Sequence, residues 1–582
     1  MGINPSSLRR VWTRLACLWG GVLLLAACQT ATAPRDTPVA PPASAAIDWT
    51  KPVTPKVNRV LFAIGPPGTE GGDPRDVTQT QNWQFRGVYE YLTGVDSEGG
   101  DFRLKVGQLA TRWSLEPDGK SYRFQLRKGV PFHFNKGEFT AQDVIFSWKH
   151  LIALDSLNAH SPRYRAQIAD IEVVNDYEVI IKLRAPDQTF MWNVGQQEHS
   201  FVILNKKEWE ALPGPPGLLD PPVAGTGPYF IKEREQSRFM RFQRVAGQHY
   251  RRTPDFPEFE WRFIKENSTI LAALLAKEVH LAALPLEMVP QAEAKGFKSI
   301  RMRAPTGPMV FAQFLGPWIK PTRPTVDLDP TLVTPLSDLR VRRALSKAIN
   351  RQELNKAFLQ DKGTMVYNAH FHPSRVGWNP DWERRFEEQY GYDPSAARKL
   401  LADAGYGPAN PLKHTMILSG NYGYFPELKD MAEAIGNYWR TIGVDVTLDQ
   451  PDPVTQDSRT RSRQNINHSI LVPTSIRQFF GFGIYGAGTI LNEGGVIPGA
   501  SGGDFIAPTD FYLNTLRSTI DESKWDELYR QMGNMWYDRI PVIPLFWLPV
   551  YAVADGAIVA DYHFSGTLTG PYADIEYIRP AQ

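Results

Sequence analysis

The sequence predicts an α/β protein built in two or three lobes, and two observations carry that expectation. At 582 residues the chain is longer than one hydrophobic core usually organises. Past Ile47, helix-type and strand-type patterns alternate, as they do in lobes built on mixed sheets. The 47 prolines and 46 glycines favour many turns over a long helical bundle. There is no internal repeat.

The chain opens with Arg9, Arg10 and Arg14 ahead of an apolar run from Leu15 to Ala27. A basic flank, a short apolar stretch and small residues predict a signal peptide over 1–27, too short for a comfortable membrane span. Its end, Leu25-Ala26-Ala27-Cys28, resembles the lipobox of bacterial lipoproteins, which implies cleavage before Cys28 and lipid on its sulfur. Residues 28–49 form a Pro/Ala-rich linker that has no apolar period and buries no core. Its stretch from Gln29 to Ala46, if polyproline-like, reaches on the order of 55 Å.

Val60 to Ile64 reads as an apolar strand entering a Gly/Pro loop, Gly65 to Asp73. Ser121 to Leu126 alternates as a half-buried strand should. Thr140, with Asp143 three residues on, starts a helix whose stripe is Val144, Ile145, Trp148, Leu151 and Ile152. Val173-Val174 and Val179 to Leu183 flank Asn175-Asp176 as a hairpin. Ser337 begins a helix with the face Val341, Ala344, Leu345, Ala348 and Ile349. Asp393-Pro394 opens another, closed by Gly405, and a third runs from Leu428 to Thr441 and stops at Gly443. Val444, Val446 and Leu448 alternate as a strand. Finally, an amphipathic helix (Trp525, Leu528, Tyr529, Met532, Trp536) feeds the apolar strand Val542 to Leu548.

Composition removes several function classes. A formal charge of +2 with 22% charged residues argues against both a disordered acidic tail protein and a dedicated nucleic-acid binder. Without residues 1–27 the three leader arginines are lost and the charge becomes −1. Two cysteines support neither a disulfide framework nor a four-thiolate zinc site.

Three motifs invite chemistry and lack the context for it. Gly499-Ala500-Ser501-Gly502-Gly503 has the nucleophile-elbow spacing but sits in a Gly/Pro-rich loop, not between a strand and a helix. Gly481 to Gly486 has dinucleotide-loop spacing with no helix to follow it. His370-Phe371-His372 places two imidazoles on one strand face if that segment is a strand, but two ligands without a third make a thin metal site. The expectation is therefore no catalytic set, no metal and no cofactor.

A series of motifs resembles the bacterial extracellular solute-binding proteins, family 5, the dipeptide, oligopeptide and nickel-binding group. It runs from Val106 to Trp113, through Glu116-Pro117-Asp118-Gly119-Lys120, Phe132 to Gly137 and Phe139 to Val144. Gly225-Thr226-Gly227-Pro228-Tyr229, Leu339 to Leu345, Ala348 to Arg351, and Tyr392-Asp393-Pro394 continue it. The resemblance covers roughly 55–570. It implies a two-lobed periplasmic-binding-protein-like α/β fold (class II) with an extra subdomain beside the first lobe and a ligand cleft between the lobes. The first lobe would comprise 50–95, 200–305 and 540–582, the accessory subdomain 96–199, and the second lobe 306–539. Crossings near Pro305 and Arg539 would be the hinges.

The resemblance further implies a monomeric receptor of an ABC importer, held to a membrane of the bacterial envelope only through lipid on Cys28. It would bind a peptide or peptide-like solute and pass it to permease and ATPase subunits on other chains. In peptide-binding members an acidic residue on an aromatic loop pairs with the ligand amine. The corresponding stretch here, Ile470 to Gly488, has no acid and contains Arg477. That leaves open Glu493 or a first-lobe acid as the anchor, or a non-peptide solute (opine-like, a sugar conjugate or a metal chelate). Expected pocket residues are Thr474, Ser475 and Arg477 as polar contacts and Phe479, Phe480 and Tyr485 as aromatic walls. Gln313 and Trp547 are expected to face the cleft, with core packing the competing account for Trp547. Two other functions remain in play: a secreted serine hydrolase using Ser501, and an envelope-assembly lipoprotein that binds no solute.

Overall fold

The structure, a computed structural model, describes residues 52–66, 70–75, 85–95, 104–158, 160–196, 200–214, 224–302, 307–315, 334–420, 425, 427–461, 464–474, 511–564 and 574–582. The fold is two-lobed α/β, each lobe organised on its own sheet. A seven-stranded sheet runs in the order Lys298–Arg301, Tyr551–Ala554, Leu281–Ala282, Arg59–Ile64, Glu258–Phe263, Phe239–Arg244, Tyr229–Glu235. Arg59–Ile64 is apolar because it lies between two parallel neighbours and is covered on both faces. Phe62 enters one core cluster and Ala63 another.

A six-stranded sheet runs Thr364–Met365, Val542–Trp547, Met309–Leu315, His468–Thr474, Lys413–Ile417, Asp445–Asp449. Val542–Trp547 pairs with Met309–Leu315, and all six of its residues are buried. The return crossing therefore falls between Trp547 and Tyr551, where the expectation had it near Arg539. The accessory layer is a four-stranded antiparallel sheet, Ala110–Leu115, Ser121–Leu126, Glu178–Leu183, Ile168–Asn175, with a core of its own.

Local rules account for most of the elements. Thr140 and Asp143 form a capping box on Ala141–Leu151. The Asp393 carboxylate accepts from Ala396 N at 2.8 Å, Pro394 is the first helical residue, and Gly405 follows with φ +91°. Gly443, at φ +93°, stops the helix Glu427–Thr441 in the same way. The helix expected from Ser337 begins later, at Leu339, and ends at Lys347, and a second helix follows it. Pro335–Ser337 is a 3-10 turn, Asp338 caps Leu339–Lys347, and Asn350 caps Arg351–Leu359. The five apolar residues assigned to its face are all buried.

The turn Gly225-Thr226-Gly227 passes so close to the first-lobe backbone that a Cβ on Gly225 would run into the Val88 carbonyl oxygen. Gly225→Ala is expected to lower stability by about 1–3 kcal/mol. Urea unfolding checks this, and an unchanged midpoint would mean that the backbone around Val88 yields. No helix among the described residues is long and apolar enough to cross a membrane.

Candidate functional site: the cleft between two sets of strand ends

Strand direction locates the cleft. Arg59–Ile64, Glu258–Phe263 and Leu281–Ala282 run parallel, and Lys298–Arg301 shares their direction because it and Leu281–Ala282 both pair antiparallel to Tyr551–Ala554. Lys298–Arg301 leaves the seven-stranded sheet for the crossing, so the carboxyl ends of all four strands face the second lobe. Across the crossing, Met309–Leu315 starts at that edge. Its two antiparallel neighbours end there, at Thr474 and Trp547. The carboxyl ends of the two sheets thus oppose each other, which is where open α/β sheets place their ligands.

The two crossing segments stay paired to each other. Met302 N donates to Val550 O at 3.0 Å and Leu548 N to Pro308 O at 2.7 Å. A side chain at Gly307 would strike the Leu548 carbonyl, so glycine lets these two segments run side by side.

Thr474, Met309 and Trp547 form one cross-strand row at the cleft edge of the six-stranded sheet, with Thr364 beyond Trp547. Directly paired residues share a face, so Thr474 and Trp547 flank Met309 on one face of the sheet, and both are buried. Gln313 is on the same face but level with Ile470 and Val542, four residues deeper or about 13 Å along the strand. Their common face is apolar, carrying Phe311, Ile470, Val472 and Val542. Ser475, Arg477, Phe479, Phe480 and Tyr485, which follow Thr474, lie outside the described residues, as do Glu493, Ser501 and Cys28.

The two histidines do not share a strand face. His370 sits in a turn at φ +69°, fully buried beside Phe311 and Trp536. His372 is half-buried and meets Trp547 edge-on, ring centroids 5.5 Å apart. Among the described residues no three His, Cys, Asp or Glu side chains group as a metal site.

Sequence reasoning missed the contacts that join the lobes beside the crossing. The Glu427 carboxylate accepts from Leu286 N at 2.8 Å, and Gln360 Nε2 donates to Leu286 O at 2.9 Å. Burial pushes Glu427 up from the usual carboxylate range. The backbone of one residue, Leu286, four positions beyond the strand end Ala282, is thus gripped on its N–H and on its carbonyl from two places in the second lobe. Nothing local marks either residue except the left-handed Gln360, φ +51°, which no sequence pattern announces.

The motif glycines have their own partners. Gly225 N donates to His133 Nδ1 at 3.1 Å, so the ring must carry its proton on Nε2, which donates to Gly227 O at 2.8 Å. Burial lowers His133 to about 4 and keeps it neutral. Nearby, a cavity of about 20 Å³ lies among Arg86, Tyr91, Gln108, Gln196, Arg251 and Asp574. It has room for one water molecule and is far too small for a peptide.

A family model described as bacterial extracellular solute-binding proteins, family 5 (middle), matches residues 106–470. The dipeptide-binding protein of Escherichia coli K12 is 26% identical over 401 residues, 65% of this chain and 69% of that protein. The structure of the ABC transporter-associated periplasmic binding protein DppA from Helicobacter pylori, in complex with the peptide STSA, superposes with a TM-score of 0.71 at 21% identity, covering 90% of this chain and 98% of that one. NikA from Staphylococcus aureus, in complex with Ni(L-His)2, superposes with a TM-score of 0.68 at 15% identity, covering 90% and 100%. The two structures share the fold of this chain.

Proposed function

We infer the function of this chain from its family: it belongs to the bacterial extracellular solute-binding proteins, family 5. Such proteins are periplasmic or extracellular receptors of ABC importers, and the three relatives named above bind peptides or a nickel chelate. We propose that this chain captures a peptide or peptide-like solute between its lobes and delivers it to a permease, without catalysing a reaction. Lipid on Cys28 would tether it to a membrane. The observation that carries this reading is the cleft between the opposed carboxyl ends of two sheets joined by a paired double crossing. Such a joint lets the lobes close on a solute and remove it from water. We also propose the lobe boundaries above, with the return hinge moved to Leu548–Val550.

A thermal-shift and calorimetric screen of dipeptides and tripeptides tests the proposal. At least one should raise Tm by several degrees at saturating concentration. Silence across the peptides, with a response to a nickel–histidine chelate or an opine, would assign the second reading, a non-peptide solute. The absence of an acid from Ile470 to Gly488, and the presence of Arg477, favour that second reading, because a ligand amine opposite Arg477 would be repelled. Arg477→Ala is expected to change affinity for the true solute while leaving Tm nearly unchanged, and a large Tm shift with unchanged affinity would give Arg477 a structural role. Fluorophosphonate labelling of Ser501 would overturn the receptor reading. A cleft that yields no co-purified solute by mass spectrometry from several growth media would favour an assembly lipoprotein.

A further inference from the structure

The lobes also meet at a contact separate from the crossing. The loop after the accessory strand Glu178–Leu183 presents Asp187 and Gln188 to the segment Tyr512–Tyr529. Arg517 Nε donates to Asp187 Oδ2 at 2.7 Å, in an ion pair whose carboxylate is almost wholly buried. Gln188 N donates to Arg517 O at 3.0 Å, and its side-chain amide donates to Leu516 O and accepts from Tyr529 Oη at 3.1 Å. The residues on the two sides are more than 320 positions apart in sequence.

Each side is set up within its own body. Asp187 is oriented by Thr189 N at 2.9 Å, Thr189 Oγ1 at 2.7 Å and Gln167 Nε2 at 2.7 Å. Tyr529 belongs to the helix Trp525–Arg539, which is tied to the second lobe where Asn368 Nδ2 donates to Gly533 O at 3.0 Å and Asn534 Oδ1 accepts from Asn379 at 2.9 Å and from Trp382 Nε1 at 3.0 Å. A pre-oriented carboxylate meeting a guanidinium across two bodies is a contact that can be made and broken as a unit, because neither side has to refold when it separates.

We propose that Asp187, Gln188, Arg517 and Tyr529 form a clasp that holds the accessory subdomain against the second lobe and sets the balance between closed and open forms. Opening the cleft then requires breaking the clasp as well as bending the crossing. The device regulates the site proposed above and rests on that reading only for its biological purpose. Its test uses no solute, so failure of the clasp and failure of the peptide reading are separable.

The experiment measures spin-label distances on the full chain, with Glu172→Cys on the accessory sheet, Arg384→Cys on the second lobe, and the native Cys17 and Cys28 replaced by serine. Both label sites are exposed. Without added solute the wild-type background should give a predominantly short distance, and Arg517→Gln should shift the equilibrium toward longer distances by about tenfold. Tyr529→Phe, which removes one hydroxyl, should shift it the same way by less and carries the test if Arg517→Gln does not fold. Distance distributions unchanged by both substitutions would overturn the proposal, and so would a wild type already dominated by the long distance.

Discussion

Arg342→Met is expected to destabilise the second lobe by about 4 kcal/mol, and Arg351→Met by a similar amount. The Arg342 side chain is fully buried. It donates to Leu336 O at 2.8 Å, to Ser337 O at 2.9 Å, and through Nε and Nη2 to Arg539 O at 3.0 and 2.8 Å. Arg351 donates to Pro544 O at 3.0 Å, Tyr390 O at 2.8 Å and Ser346 Oγ at 2.9 Å, and lies over the Phe386 ring. Burial pulls its guanidinium down to about 10, still charged at neutral pH.

Methionine fills most of the volume but orphans several buried carbonyls at once, each at about 1–3 kcal/mol. Lysine should not rescue either position, because one ammonium cannot reach acceptors arranged around a planar fork. Arg340, in the same motif but exposed and paired with Asp338, is the internal control: Arg340→Met should cost less than about 1 kcal/mol. Urea unfolding followed by tryptophan fluorescence reads all three. An Arg342→Met protein within about 1 kcal/mol of wild type would show that those carbonyls find water instead.

Acidification from pH 6.5 to 4.5 should remove on the order of 5 kcal/mol of stability, the second large effect. Burial holds His133 and His372 down to about 4 and His414 to about 3. His133 bridges the Gly225 and Gly227 backbone, while His414 bonds Ser469 Oγ at 2.8 Å and meets Trp439 edge-on. Unfolded, each titrates near 6.5, so below that pH the unfolded chain binds protons that the folded chain refuses. The stabilisation is complete above about 6.5, is lost progressively as the pH falls from there toward the folded values, and is gone below them. Glu427 and Asp143 work in the opposite sense, since burial raises both and the folded state takes up their protons more readily. They offset part of the loss. Urea midpoints at pH 7.5, 6 and 5 measure the slope, and His133→Asn should flatten it by about one proton. Equal midpoints at pH 7.5 and 5 would contradict these assignments.

The arginines show how the motif Leu339 to Arg351 reads as sequence and as structure. Its helical face follows from spacing, since the apolar residues recur with the helical period. That Arg342 and Arg351 are buried does not follow, because surface helices are equally rich in arginine. Their acceptors Arg539 and Pro544 lie nearly 200 residues downstream. The strand Val542–Trp547 was likewise legible as a strand, but its place in the six-stranded sheet was not. An apolar run states that both faces are covered without saying by which lobe. Of the expected cleft residues, Thr474 and Trp547 share one row because each pairs with Met309 from opposite sides, whereas Gln313 lies deeper.

By itself, then, the sequence determined the elements and their ends: the Thr140–Asp143 box, the Asp393-Pro394 start, the Gly405 and Gly443 stops, and the α/β alternation. These depend on groups within about four residues of one another, so the chain carries their cause locally. Only the tertiary structure decided which strands share a sheet, where the return crossing falls, and which polar groups join the lobes. The Asp187–Arg517 pair and the grip of Glu427 and Gln360 on Leu286 join residues separated by 330, 141 and 74 positions. Over such distances no periodicity constrains the partner. The choice is made when burial forces each polar group to find a mate within the folded body.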